Sequence, residues 1–188
     1  MRTKLLVILC VLIFAGAAMV GPVAAAGSVA NVTGNPTNYM SINEAGDITN
    51  WALTEQSLNE DLGSCKLNVT TNRQGWTVTV HDALDGGKAI QAGNMVQYTT
   101  GSSTYGTKYL FTPLEMDGLT VGGQYTVTPV AALTGTGQTL WTGDPGLGGT
   151  GTWAAIPIYI RQFVTHGDES LPTGQVYRIV VTFTGVHP

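Results

Sequence analysis

From about residue 64 onward the chain alternates apolar and polar side chains with a period of two. Cys65, Leu67 and Val69 share one parity, with Lys66, Asn68 and Thr70 between them. Trp76, Val78 and Val80 point one way, and Thr77, Thr79 and His81 the other. The pattern returns at 108–114 (Tyr109, Phe111, Pro113) and at 124–130 (Tyr125 and Val127 against Thr126 and Thr128). It appears again at 153–164, with Ile156, Ile158 and Ile160 opposed to Tyr159 and Arg161. The last run, 176–184, sets Tyr177, Ile179, Val181 and Phe183 on one face. Such alternation marks strands with one buried and one solvated face, which antiparallel sheets allow. Two sheets packed face to face would bury the apolar rows and leave the threonines outside. The expectation is an all-β chain folded as an antiparallel β-sandwich, immunoglobulin-like or jelly-roll-like. Its core anchors are Trp76, Val78, Val80, Tyr177, Ile179, Val181 and Phe183.

The breaks in the pattern predict the connections. Asn72-Arg73-Gln74-Gly75 reads as a short hairpin-like link. Asp85-Gly86-Gly87 and Asp117-Gly118 read as turns, and Gly122-Gly123 opens the strand that follows. Residues 52–63, ALTEQSLNEDLG, are the one helix candidate and read equally well as a loop. The stretch 135–151 holds 7 glycines in 17 residues, and glycine is costly to order, so a long mobile Gly-rich loop is expected there. Leu140 and Trp141 at its middle are either a tack onto the sandwich or an exposed contact.

The N-terminus changes the extent of the useful chain. Arg2 and Lys4 precede an apolar run over 5–15, followed by Gly21-Pro22 and the small residues Ala24 and Ala26. That is the form of a secretory signal over 1–26, leaving a single β-sandwich domain over 27–188. Retention as a membrane anchor is the alternative, because no charge falls between Lys4 and Glu44. Cleavage would leave no membrane-spanning segment, one cysteine (Cys65) and 6 basic against 12 acidic residues, a formal charge of −6. That balance excludes a nucleic-acid partner, since little could displace counterions from phosphates. Cys65 shares the parity of Leu67 and Val69, so it reads as a buried thiol, with pairing between molecules as the alternative. Asn31 and Asn68 each begin an Asn-x-Thr tripeptide and are candidate glycosylation sites. Asn68 lies on the polar parity.

Candidate chemistry is sparse. His81, Asp82 and Asp85 cluster in sequence, as do His166, Asp168 and Glu169, but each group lies in a turn or polar loop. There is no Gly-x-Ser-x-Gly, P-loop or His-Glu-x-x-His. The sequence therefore assigns no catalytic residue, metal ligand or cofactor, and no enzyme activity is expected. Aromatic residues off the core rows, Trp141, Tyr98, Tyr105 and Tyr159, are the candidates for surface contact.

Three segments carry a resemblance. Trp51-Ala52-Leu53 is a Trp-x-Leu, and "VTTNRQGWTVTV" follows it at 69–80. The chain ends near "GQVYRIVVTFTG" at 174–185. Together with the signal, these resemble secreted all-β surface proteins: the WxL-type domains of bacterial cell walls, and the camelysin-like fibre subunits with their archaeal pilin relatives. WxL domains carry a Trp-x-Leu near the C-terminus, where this chain reads Val-Thr-Phe-Thr. The resemblance implies a secreted cell-surface structural protein, envelope-associated or a fibre or matrix subunit. Its partners would be a cell-envelope polymer or copies of itself. One route to a fibre is strand addition, in which residues 27–34, GSVANVTG, complete a neighbour's sheet. The alternative is a carbohydrate- or cell-wall-binding β-sandwich module.

Overall fold

A computed structural model of the chain describes residues 39–85, 88, 91–143 and 151–187. All of them lie in the compact unit Thr37–Pro188. The signal segment and Asn31 fall outside the described residues. The described residues form eleven strands and no α-helix. The strands are β1 (Met40–Ala45), β2 (Ser57–Thr71), β3 (Thr77–Asp82), β4 (Val96–Thr99), β5 (Thr104–Tyr109) and β6 (Glu115–Gly118). They continue with β7 (Tyr125–Val127), β8 (Gln138–Gly143), β9 (Gly151–Val164), β10 (Gln175–Arg178) and β11 (Val181–Val186). Three antiparallel sheets result, in the orders β1-β2-β9-β6, β11-β3-β8-β7 and β10-β4-β5. The fold is all-β and sandwich-like, as the alternation predicts.

The core lies between the first two sheets. β2 contributes Cys65, Leu67 and Val69, β9 contributes Ile156, Ile158 and Ile160, and β6 contributes Met116. From the other side come Trp76, Val78 and Val80 around β3, Leu140 and Trp141 on β8, and Tyr125 on β7. Two glycines make room for the indoles. A Cβ at Gly143 would lie 2.3 Å from Trp76 Nε1, and one at Gly118 would lie 3.3 Å from Trp141 Cζ2.

Several expectations change. Asn72–Gly75 does not close a hairpin: β2 and β3 belong to different sheets, so this link crosses the sandwich. Residues 57–63 are strand, because β2 starts at Ser57 and pairs with β9 from Ser57↔Val164 onward. The leucines at 58 and 62 that suggested a helix stand on the exposed face of that strand. Asp117-Gly118 is the end of β6, held by pairing with Tyr159 and Ile158. At 108–114 the parity is reversed: Leu110 and Leu114 are buried while Phe111 is exposed.

The Gly-rich stretch holds β8. Its residues 144–150 lie outside the described residues. Trp141 is fully buried, so it is not a surface contact. The register passes from Val78↔Trp141 to Thr79↔Thr139, so Leu140 is the extra residue of a bulge. A bulge brings two successive residues to one face, which is why Leu140 and Trp141 both reach the core.

The run 176–184 is not one strand. It splits at Ile179-Val180 into β10, which pairs with β4, and β11, which pairs with β3. Trp76, Val78 and Val80 are fully buried, but Ile179, Val181 and Phe183 are partly buried at the margin of the core. Tyr177 is also half-buried, and its hydroxyl donates to the Glu169 carbonyl at 2.6 Å. Ile179, Val181 and Phe183 are corrected from core anchors to margin residues, and Tyr177 to a half-buried residue outside the core cluster.

Candidate functional site

The margin opens because the sandwich is incomplete there. β1 pairs with β2 only from Met40↔Thr71 to Ala45↔Lys66. β2 continues beyond it to Ser57, and no strand among the described residues pairs with that stretch on the β1 side. Gly46 turns the chain away with φ 98°, a left-handed conformation that favours glycine. A Cβ there would sit 2.7 Å from the Ser64 carbonyl oxygen. On the facing side, β10 and β11 are each the last strand of their sheet. Ala83 N–H bonds to the Val180 carbonyl at 2.8 Å, so the inner edge of 175–186 is held along β4 and β3. The outer edge has no strand partner among the described residues.

An open cavity of about 1070 Å³ lies along this gap. Residues 46–51 line one wall and residues 175–181 another. Its apolar surface includes Ile48, Trp51, Met95, Leu114, Ile179 and Phe183. Near β1's other end the gap is closed, because Gly185 lies against Met40 and Ile42; a Cβ would be 2.4 Å from Ile42 Cδ1. Trp51 and Leu53 of the Trp-x-Leu thus belong to the cavity wall.

The polar part of the rim is built from residues that hold the loops. Asp168 Oδ2 accepts from Thr165 N–H at 2.6 Å, and Oδ1 accepts from Phe111 N–H at 2.8 Å. Glu169 is ion-paired with Lys108. His166 Nδ1 lies 3.1 Å from Glu55 and 2.6 Å from Gln56 Nε2. These contacts set 166–169 against 55–56, 108 and 111. No group of three or more His, Cys, Asp or Glu among the described residues could hold a metal ion.

A second cluster anchors the free edge. The Arg178 guanidinium lies 4.5 Å from the Tyr98 ring centroid and 5.7 Å from that of Tyr105. It donates to Asp85 Oδ2 and to the Tyr105 hydroxyl, each at 3.0 Å. Tyr105 donates to Asp85 Oδ1 at 2.6 Å. Burial, and then the bond to Asp85, raise the Tyr105 phenol well above its ordinary range. Tyr98 and Tyr105 therefore tie β10 to β4 and β5, with Arg178 over one face of the Tyr98 ring. Tyr159 is half-buried on the outer side of the first sheet, opposite Leu62 and Asp117. Asn68 is half-buried, and its Oδ1 accepts from Ala155 N–H at 2.8 Å.

A third cluster is buried. Asp82 and Lys88 form an ion pair with both side chains fully buried. Asp82 Oδ2 also accepts from Gly93 N–H at 2.8 Å, and Oδ1 from Leu84 N–H at 3.1 Å. Asp82 and Asp85 are close in sequence but serve separate clusters, and His81 lies on the opposite face of β3 from Asp82.

No family model matches the chain, and no match is found among curated proteins or among solved structures. Sequence reasoning missed the cavity because it is made by a strand that stops. The signal for that was Gly46-Asp47 immediately after the alternating Met40–Ala45, with Ile48, Trp51 and Leu53 beyond it.

Proposed function

We propose that this chain is a secreted cell-surface structural protein, associated with the envelope or assembled into a fibre or matrix, with no catalytic activity. The observation that supports it best is the apolar cavity lined by residues 175–181 and Phe183, whose outer strand edge has no strand partner among the described residues. An exposed edge presents a row of unpaired N–H and C=O groups, and an extended segment can add to it as a further strand. The backbone bonds then supply affinity, while alternate apolar side chains fill the cavity. The gap is therefore an acceptor for a strand, and the reading takes the donor from a second copy of this chain.

Direction favours a chain of copies over a closed pair. Tyr39 is bonded to Asn72 through N–H to Oδ1 at 2.8 Å, at the end of β1 remote from the cavity. Tyr39, where the preceding segment joins β1, is at the opposite end of that strand from Gly46 in the cavity wall. Contacts of this head-to-tail kind propagate into filaments when the rotation does not close. The signal-like N-terminus and the resemblance to fibre and cell-wall proteins agree with this reading.

The test is particle size against concentration for residues 27–188, by light scattering with negative-stain microscopy, repeated without residues 27–34. Filaments that disappear on truncation support the proposal. A monomer in both forms at every concentration contradicts it. The carbohydrate-binding alternative has less support, because Trp141 is buried and Tyr98 and Tyr105 are engaged with Arg178.

A further inference from the structure

Lys88 is a lysine with no exposed side-chain surface, and its partner Asp82 has none either. Paired burial of this kind is expensive, since both charges lose their hydration and the attraction between them restores only part of it. Among the described residues the Nζ has two acceptors, Asp82 Oδ2 and the Asn94 carbonyl at 2.6 Å, whereas an ammonium carries three protons to donate. Burial pushes the Lys88 amine below the usual lysine range, against the opposing pull of Asp82 and Asp85. Within the pair, transfer of one proton from Nζ to the carboxylate gives a neutral amine beside a neutral carboxylic acid. Those are the two reactants of amide formation.

The carboxyl group is held for such a reaction. Leu84 N–H binds Oδ1 and Gly93 N–H binds Oδ2, so two backbone donors face the oxygens on which charge would develop during attack at Cγ. Gly93 cannot be replaced without moving the backbone, because a Cβ there would meet the Leu133 carbonyl oxygen at 1.7 Å. Fixed neighbours reach effective molarities on the order of 10⁵ M or more, and water is excluded from the pair.

We propose that Lys88 and Asp82 condense into an intrachain amide bond. The Nζ–Cγ bond forms, one Cγ–O bond breaks, and that oxygen leaves as water with the carboxyl proton and one amine proton. No oxidant or other reactant is needed. The product keeps two of the partners, its carbonyl the Leu84 N–H and its own N–H the Asn94 carbonyl, while the Gly93 N–H gives up the oxygen that leaves. The bond would fasten the segment containing Lys88 to the end of β3, beside the Asp85–Arg178 cluster that anchors the free edge. It is a covalent tie that a chain with a single cysteine after residue 26 cannot obtain from an internal disulfide.

The test is the intact mass of the purified chain under denaturing conditions, followed by trypsin digestion. Trypsin cuts after Arg73, Lys88 and Lys108 in this region, and it does not cut after an acylated lysine. The expected result is a chain lighter by one water, with residues 74–108 recovered as one peptide carrying that deficit. Lys88→Arg, which cannot be acylated in this way, should restore the full mass. A full mass with cleavage after Lys88 overturns the proposal. A lost water with normal cleavage after Lys88 overturns it too, since the water then came from elsewhere, such as a succinimide at Asp117-Gly118. The wild-type measurement decides the matter even if the variant does not fold, and it is independent of whether copies assemble.

Discussion

At the scale of single residues, the core is set by two tryptophans and the glycines beneath them. Trp76 is fully enclosed, with the Tyr125 ring centroid 6.4 Å away and Gly143 against the indole. Trp76→Ala should cost about 3–5 kcal/mol, as deletion of a large core aromatic does. Urea unfolding with an unchanged m-value checks it. The tyrosines give a pH signature. Burial is the leading cause that raises the phenols of Tyr105, Tyr125 and Tyr177 above the ordinary 10.0. As pH climbs past 10.0 the unfolded chain ionises these groups while the folded chain keeps them protonated. The unfolded state then binds fewer protons, so stability falls with rising pH in that window. Urea midpoints should decrease across it, and three of the seven tyrosines should ionise late in an absorbance titration.

At the scale of elements, the sequence showed the strands whose pattern is uninterrupted and misled where a strand is bulged or divided. Ile156, Ile158 and Ile160 and the row Trp76–Val80 face the core as their alternation says. β8 was hidden because its bulge at Leu140 sets two large residues side by side within a glycine-rich stretch. Residues 57–63 were hidden because leucines at 58 and 62 point outward, while the inward position 59 is an asparagine. That Asn59 is buried and bonds to the Thr54, Ser57 and Gln162 carbonyls, so a polar residue occupies a core-facing place. No period-two rule detects such a position. The division of 176–184 was equally invisible, because Ile179 and Val181 continue the parity across the break. Bulges also explain Asn68. Between Leu67↔Ile156 and Val69↔Trp153, β9 holds an extra residue near Ala155, whose φ is 55°. Asn68 Oδ1 accepts the Ala155 N–H and so steadies this irregularity. Asn68→Ala should lower stability by about 1 kcal/mol, the net worth of one such bond. A thermal or urea midpoint equal to that of the parent chain would remove this role.

At the scale of the whole molecule, the central feature is what the sheets leave open. The alternation in the sequence foretold two faces and a core, but not that β1 would stop at Ala45 while β2 ran on to Ser57. The candidate site arises from that mismatch in length, so it was not legible in any motif. The residues that might have suggested chemistry, such as His166, Asp168 and Glu169, are used to hold loops at the rim. The account predicts that copies of the chain meet at this opening. The most direct measurement is amide hydrogen exchange on residues 27–188, compared between dilute and concentrated solution. Protection gained along 175–183, with the β3 and β8 amides unchanged, is the predicted result. Assembly that leaves the 175–183 amides exchanging as fast as in the dilute monomer would contradict it.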